Sequence, residues 1–123
     1  TLVDAVQKKV AFMKAAIANL GLAPRVKALH QRADGAGDGL GTFDIVVSRA
    51  FTDLERWLPL ATQYLAPGGV VIAMVGLQPA EAVVERSARA SGLELVSERR
   101  LSLPLSGDGR GVLVFRRAQP GPT

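Results

Sequence analysis

FDIVVSRAF, residues 43–51, decides the fold class. Ile45, Val46 and Val47 are β-branched in a row, so residues 43–48 read as a strand that is apolar along its length and covered on both faces. Ser48-Arg49 ends the run with a charge. Thr52-Asp53-Leu54-Glu55 then has capping-box form, and Leu54, Trp57, Leu58, Ala61 and Leu65 mark the buried face of a helix. A buried strand feeding a helix is the repeating unit of a parallel sheet. Ligands of such sheets gather beyond the carboxyl ends of the strands, which is where Arg49 stands.

The same alternation extends both ways from this stretch. Upstream, Thr1-Leu2-Val3 reads as the end of a strand and Asp4 as a helix cap. Val6, Val10, Met13, Ile17 and Leu20 follow at spacings of four, three, four and three, one face of a 3.6-residue helix, and Gly21 stops it. Residues 25–29 make a short strand with Val26 inward, and the glycine-rich DGAGDGLG occupies 34–41. Downstream, Pro67-Gly68-Gly69 breaks the chain before a strand at 70–74. A third helix has Pro79 near its first turn, Val83, Val84 and Ala88 inward, and Gly92 as its stop. Residues 93–103 form a long strand that turns at Ser106-Gly107-Asp108-Gly109 into a last strand at 112–115. The order β-α-β-β-α-β-α-β-β predicts an α/β fold: a mostly parallel sheet, helices on both faces, and an antiparallel C-terminal hairpin at one edge. One domain over 1–118 and a disordered Pro/Gly tail at 119–123 are expected.

Composition narrows the chemistry. The 123 residues suffice for one core without disulfides, and 48% hydrophobic residues with a mean hydropathy of +0.21 argue for a folded domain. No apolar run approaches the roughly 20 residues that cross a bilayer. Thr1-Leu2-Val3-Asp4 puts an acid where a signal peptide would carry base, so a cytoplasmic location is expected. Without cysteine there is no thiolate nucleophile, cysteine-ligated zinc or iron–sulfur cluster. His30 is the only histidine, so no histidine-based metal cluster forms within one chain, and no metal is expected. With no G-x-S-x-G elbow beside it, His30 reads as a loop residue and hydrolysis is poorly supported. The formal charge of +4 and pI near 10.1 favour an anionic partner such as nucleic acid. The densest pairs, Lys8-Lys9, Arg99-Arg100 and Arg116-Arg117, read as solvated surface.

The residues placed at strand ends are Asp4, Arg32 to Asp34, Ser48-Arg49 and Met74-Val75-Gly76. Asp4 is either a grip on ribose hydroxyls or the helix cap, and the two roles are compatible. The loop at 35–41 leads into a strand and lacks G-x-G-x-x-G spacing, so it reads as a flexible surface connection and not a phosphate cradle. Arg49 can meet a carboxylate, a phosphate or the acceptor edge of guanine, or else form a structural salt bridge.

TLVDAVQKKVAFMKAAIANLGL, FDIVVSRAF, LAPGG and LPLSGDGRGVLVFRR, in that order, resemble the second half of the RsmG/GidB family. The most specific pieces are Asp-x-x-x-Lys-Lys-Val-x-Phe, from Asp4 to Phe12, and Ser48-Arg49-Ala50-Phe51. The resemblance covers about residues 1–117. It implies a Rossmann-like class I S-adenosylmethionine-dependent methyltransferase that modifies guanine N7 in small-subunit (16S) ribosomal RNA. It places Asp4 at the cofactor ribose, Arg32, Ala33 and Asp34 near the adenine, and Arg49 beside cofactor and target base as the candidate catalytic residue. Arg110 matches a further substrate-binding arginine. The family's first strand and glycine-rich motif would lie before residue 1. The chain is therefore expected to be part of a longer protein, or to close the gap by re-pairing, swapping or dimerising. Met74-Val75-Gly76 stands where the family has Met-Lys-Gly, and Arg110-Gly111 where it has Arg-His. The chain alone is accordingly expected to bind cofactor weakly and not to turn over. The competing expectation is a non-catalytic domain of the same fold that binds RNA or protein through its basic surface.

Overall fold

A computed structural model describes residues 1–35, 38–49, 53–76 and 80–118. Pro79, Ala50-Phe51, Thr52 and the tail at 119–123 lie outside the described residues. Backbone contacts divide the chain into two compact units, Thr1–Asp34 and Gly35–Thr123.

In the first unit, β1 (Leu2–Asp4) pairs in parallel with β2 (Ala28–His30), joined through α1 (Gln7–Asn19). Val10 and Ile17 of α1 are buried with Ala28, and Met13, Leu22 and Val26 pack around them. The two ends of the expected stripe, Val6 and Leu20, stay 48% and 70% exposed. Length explains this: a 13-residue helix runs about 20 Å, whereas a three-residue strand spans about 10 Å. Gly21, at φ +69°, closes α1 in a Schellman motif, with Gly21 N–H on Ala18 O and Leu22 N–H on Ile17 O. Three local expectations change. The N-cap is Val6, and Asp4 instead accepts the Val6 N–H at 2.7 Å in an Asx turn. Arg25 and Val26 form a turn on Leu22 O, so the strand starts at Ala28, which is buried, while Val26 packs against the same cluster from the turn. His30 is the last residue of β2, not a loop residue.

The second unit contains β3 (Phe43–Arg49), α2 (Leu54–Thr62), β4 (Leu65–Val75), α3 (Glu81–Ala90), β5 (Leu93–Ser102) and β6 (Gly109–Arg117). The sheet order is β3-β4-β6-β5, with β3 and β4 parallel and β6 antiparallel to both its neighbours. The antiparallel hairpin is present, but its second strand lies inside the sheet and β5 forms the edge. Side chains account for the exchange: β6 carries Val112, Leu113, Val114 and Phe115, whereas β5 carries Glu94, Glu98, Arg99 and Arg100, which suit an edge.

One face of this sheet holds the core. Val71, Ala73, Val75, Leu113 and Phe115 are buried beneath Leu54, Trp57, Leu58 and Ala61 of α2 and Val84 and Ala88 of α3. Asp53 caps α2 by accepting the Arg56 N–H at 3.0 Å. Val46 packs against this cluster, but Ile45 and Val47, on the other face, are 59% and 54% exposed. The expected cover on both faces of β3 is therefore absent among the described residues, because α2 and α3 pack on the same side.

Pro67-Gly68-Gly69 does not break the chain. Phe43 pairs with Leu65 and Ile45 with Val70, so four residues of β4 bulge opposite Asp44 alone. Gly68 takes φ +79°, and a Cβ at Gly69 would lie 2.7 Å from Asp44 O and 2.7 Å from Leu65 Cδ1. Backbone cannot yield as a side-chain tip can. Gly69→Ala is expected to lower stability by about 1–3 kcal/mol, read from the urea midpoint. Gly109→Ala, which meets nothing within 4 Å, should stay within about 0.5 kcal/mol. Equal effects at the two glycines would contradict the bulge.

Candidate functional site

In the first unit the carboxyl ends of β1 and β2 lie side by side. Asp4 pairs with His30 in register, its carbonyl accepts the Gln31 N–H at 3.0 Å, and His30 Nε2–H donates to Ala5 O at 3.1 Å. These bonds fix the exit of both strands. Asp4 is half-buried; Oδ1 is engaged by Val6 N–H, and Oδ2 has no partner among the described residues. The carboxylate is thus a turn-holder with one oxygen left for a hydroxyl or amine donor. Arg32, Ala33 and Asp34 follow β2 directly, with Arg32 and Asp34 exposed and Ala33 half-buried. Four of the expected cofactor residues are therefore gathered at one end of one short parallel pair. The free carboxylate oxygen can accept a hydrogen bond from a hydroxyl.

In the second unit Arg49 is the last residue of β3, and the Ser48 hydroxyl donates to Arg49 O at 2.7 Å. Across the sheet Arg49 stands in register with Met74, then Val112, then Arg99. Residues in one row share a face, so these four side chains leave the sheet on its uncovered side. Arg110 lies two residues from Val112 on β6 and leaves the same face, with Nη1 donating to Gly109 O at 2.8 Å. Arg49 and Arg110 thus share both a face and the end of the sheet where β3 and β4 finish.

Three other arginines are held in ion pairs. Arg86, Arg100 and Arg116 meet Glu55, Glu98 and Glu94 at 3.0, 3.5 and 2.7 Å. Arg49, Arg99 and Arg110 are exposed and have no ion pair among the described residues. The structural salt bridge considered for Arg49 is not formed there.

The sequence marked Arg99 only as half of the Arg99-Arg100 pair, read as solvated surface, because a bulge decides which face it takes. Leu93 is buried on the helix-covered face, and simple alternation would carry 95, 97, 99 and 101 to that face. The register shifts between Leu95 and Ser97, which moves Ser97, Arg99 and Leu101 to the open face. The glycine-rich loop also gains an anchor. Gly35 N–H donates to Tyr64 Oη at 2.6 Å, the Tyr64 hydroxyl donates to the Asp38 carboxylate, and Asp38 Oδ1 accepts Leu40 N–H at 3.0 Å. A buried tyrosine thus anchors Gly35 and Asp38 within the loop read as a surface connection.

A groove between α2 and α3, lined by Glu55, Pro59, Arg86, Ser87, Ala90 and Ser91, contains none of the residues expected at a site. Among the described residues no group of three acidic, histidine or cysteine side chains could hold a metal, and no helix is long and apolar enough to cross a membrane.

Comparison with known proteins bears on both units. The family model described as GidB, rRNA small subunit methyltransferase G, matches residues 1–105. The ribosomal RNA small subunit methyltransferase G of Anaeromyxobacter sp. (strain Fw109-5) is 47% identical over 116 residues, covering 94% of this chain and 54% of that protein. That of Myxococcus xanthus (strain DK1622) is 46% identical over 119 residues, covering 95% and 54%. The chain spans about half the length of the curated relatives it matches. Among solved structures, an S-adenosylmethionine-dependent methyltransferase from Clostridium acetobutylicum ATCC 824 superposes with TM-score 0.71 at 10% identity, covering 95% of this chain and 74% of that one. Magnesium protoporphyrin IX methyltransferase from Synechocystis PCC 6803 gives TM-score 0.71 at 15% identity, covering 94% and 58%. The fold is the class I methyltransferase α/β fold with a mixed sheet, as expected.

Proposed function

Because the chain belongs to the ribosomal RNA small subunit methyltransferase G family, we propose that it supplies cofactor- and base-facing residues to an enzyme that methylates guanine N7 in 16S ribosomal RNA. S-adenosylmethionine would supply an activated methyl group on a sulfonium. Asp4 would hold the ribose hydroxyls with its free oxygen, and Arg32, Ala33 and Asp34 would flank the adenine. Arg49 and Arg110 would grip the RNA at phosphate or at the guanine O6 edge.

The observation that carries this proposal is the pair of unpaired guanidiniums, Arg49 and Arg110, on one face at one end of the sheet. The rest is chemistry. Guanine N7 carries a lone pair and no proton, so these residues have to place the base and need not remove a proton from it. The lack of cysteine and of any histidine beyond His30 is no obstacle to such a reaction. That one family model spans both units supports reading them as parts of one domain, 1–118, acting on the small ribosomal subunit in the cytoplasm.

The natural full-length reading frame containing residues 1–123 provides the test. It is expected to bind S-adenosylmethionine in isothermal titration and to incorporate labelled methyl groups into 16S RNA of small subunits. The 123-residue chain alone is expected to bind the cofactor far more weakly, with Val75 and Gly111 where the family carries lysine and histidine. RNA binding indifferent to cofactor, with no methyl incorporation, would point to the non-catalytic RNA-binding domain instead.

A further inference from the structure

Resting on the RNA-directed function just proposed, we infer that Arg99 and Arg110 form a second subsite, which takes a backbone phosphate of the RNA strand flanking the target base. Arg99 pairs with Val112 and Leu101 with Arg110, so the two arginines are diagonal neighbours on adjacent antiparallel strands. Diagonal neighbours stand about 7–8 Å apart, within reach of one phosphate group for two guanidinium forks. Like charges held this close repel unless an anion is shared, and no carboxylate among the described residues is paired with either. Neighbouring Arg100, by contrast, faces the other side and meets Glu98.

The surroundings favour a nucleic acid. Along the row from Arg49 to Arg99 lie Met74 and Val112, and Leu101 stands beside Arg110; Met74 and Leu101 are 38% and 47% exposed. Three strand steps separate the end arginines, roughly 14 Å at sheet spacing. The strip is therefore cationic at both ends and apolar between them. A single strand of RNA fits this pattern, with phosphates on the guanidiniums and base faces on the apolar side chains. An acidic protein segment would satisfy the charges but leaves the apolar middle without a planar partner. Arg49 would then place the target nucleotide, and Arg99 would hold the strand beyond it.

The test is fluorescence anisotropy of the 123-residue chain with a fluorescein-labelled single-stranded oligoribonucleotide across a sodium chloride series. Each phosphate contact to a single strand contributes about 0.7 to the slope of log K against log salt. Arg99→Ala is expected to reduce the slope by about that 0.7 and to weaken binding several-fold at low salt. Arg99→Lys should keep most of the slope, and Arg100→Ala should leave it unchanged. An unchanged slope in Arg99→Ala, with a reduced slope in Arg49→Ala, overturns this subsite and leaves the proposed function standing. Absence of measurable oligoribonucleotide binding at low salt overturns it too. Polyglutamate that displaces the RNA at equal charge, with the same dependence on Arg99, overturns it in favour of an acidic protein. Failure of methyl incorporation in the full-length enzyme is read separately and bears on the function instead.

Discussion

Arg49→Ala in the full-length reading frame is expected to lower kcat for methyl transfer to the small ribosomal subunit by about 100-fold, the scale of a misplaced reacting group. RNA affinity should fall much less. The split follows from the chemistry of the acceptor. Guanine N7 becomes cationic as it takes the methyl group, so a nearby guanidinium cannot help by neutralising developing charge. What it can do is hold the nucleotide by N–H groups on O6 or on a phosphate, leaving the N7 lone pair free, and thereby fix the angle of attack. Arg49→Lys retains charge but not the fork; it should recover RNA affinity and little of the rate. Folding gives an internal control. Arg49 is exposed and unpaired among the described residues, so the alanine variant should keep its urea midpoint to within about 0.5 kcal/mol. A rate within threefold of the parent would show Arg49 to be an ordinary surface arginine.

The legible parts of this fold are those written in local pattern. Gly21 and Gly92 take left-handed backbone at helix ends, φ +69° and +70°, where only glycine is unstrained. Four of the five residues assigned to the face of α2, Leu54, Trp57, Leu58 and Ala61, recur at helical spacing and are all buried, whereas the fifth, Leu65, begins β4. Arg49 was legible as a strand end, because an apolar run that stops on a charge is a local signal. The bulges were not. Pro67-Gly68-Gly69 looks like a chain break, and only pairing with Phe43 and Ile45 turns it into a detour within β4. The shift between Leu95 and Ser97 carries no mark in composition, yet it decides which face receives Arg99. Asp4 shows a third kind of limit: an acid before a helix fits both a cap and an Asx turn, and the choice rests on where α1 begins.

Phe115→Ala is expected to cost about 3–5 kcal/mol, a large part of the 5–15 kcal/mol typical of a small domain. Phe115 has no exposed surface and sits on the interior strand β6, between Val71 of β4 and Leu95 of β5, under the two helices. Among the described residues, α2 and α3 both pack on the face that carries Phe115, so the ring is enclosed by side chains of the sheet and the two helices. Neighbours in a sheet are held by the hydrogen-bond ladder and cannot close around the void, which places the substitution toward the upper part of that range. Val47→Ala is the matched comparison. Val47 is 54% exposed on the open face, and its truncation should cost less than about 0.5 kcal/mol, as for surface positions generally. Urea unfolding of the 123-residue chain measures both, with an unchanged m-value required for the comparison. Should Val47→Ala cost as much as Phe115→Ala, the open face would be covered in solution by another copy of the chain. The midpoint would then rise with protein concentration, as coupled folding and association demand.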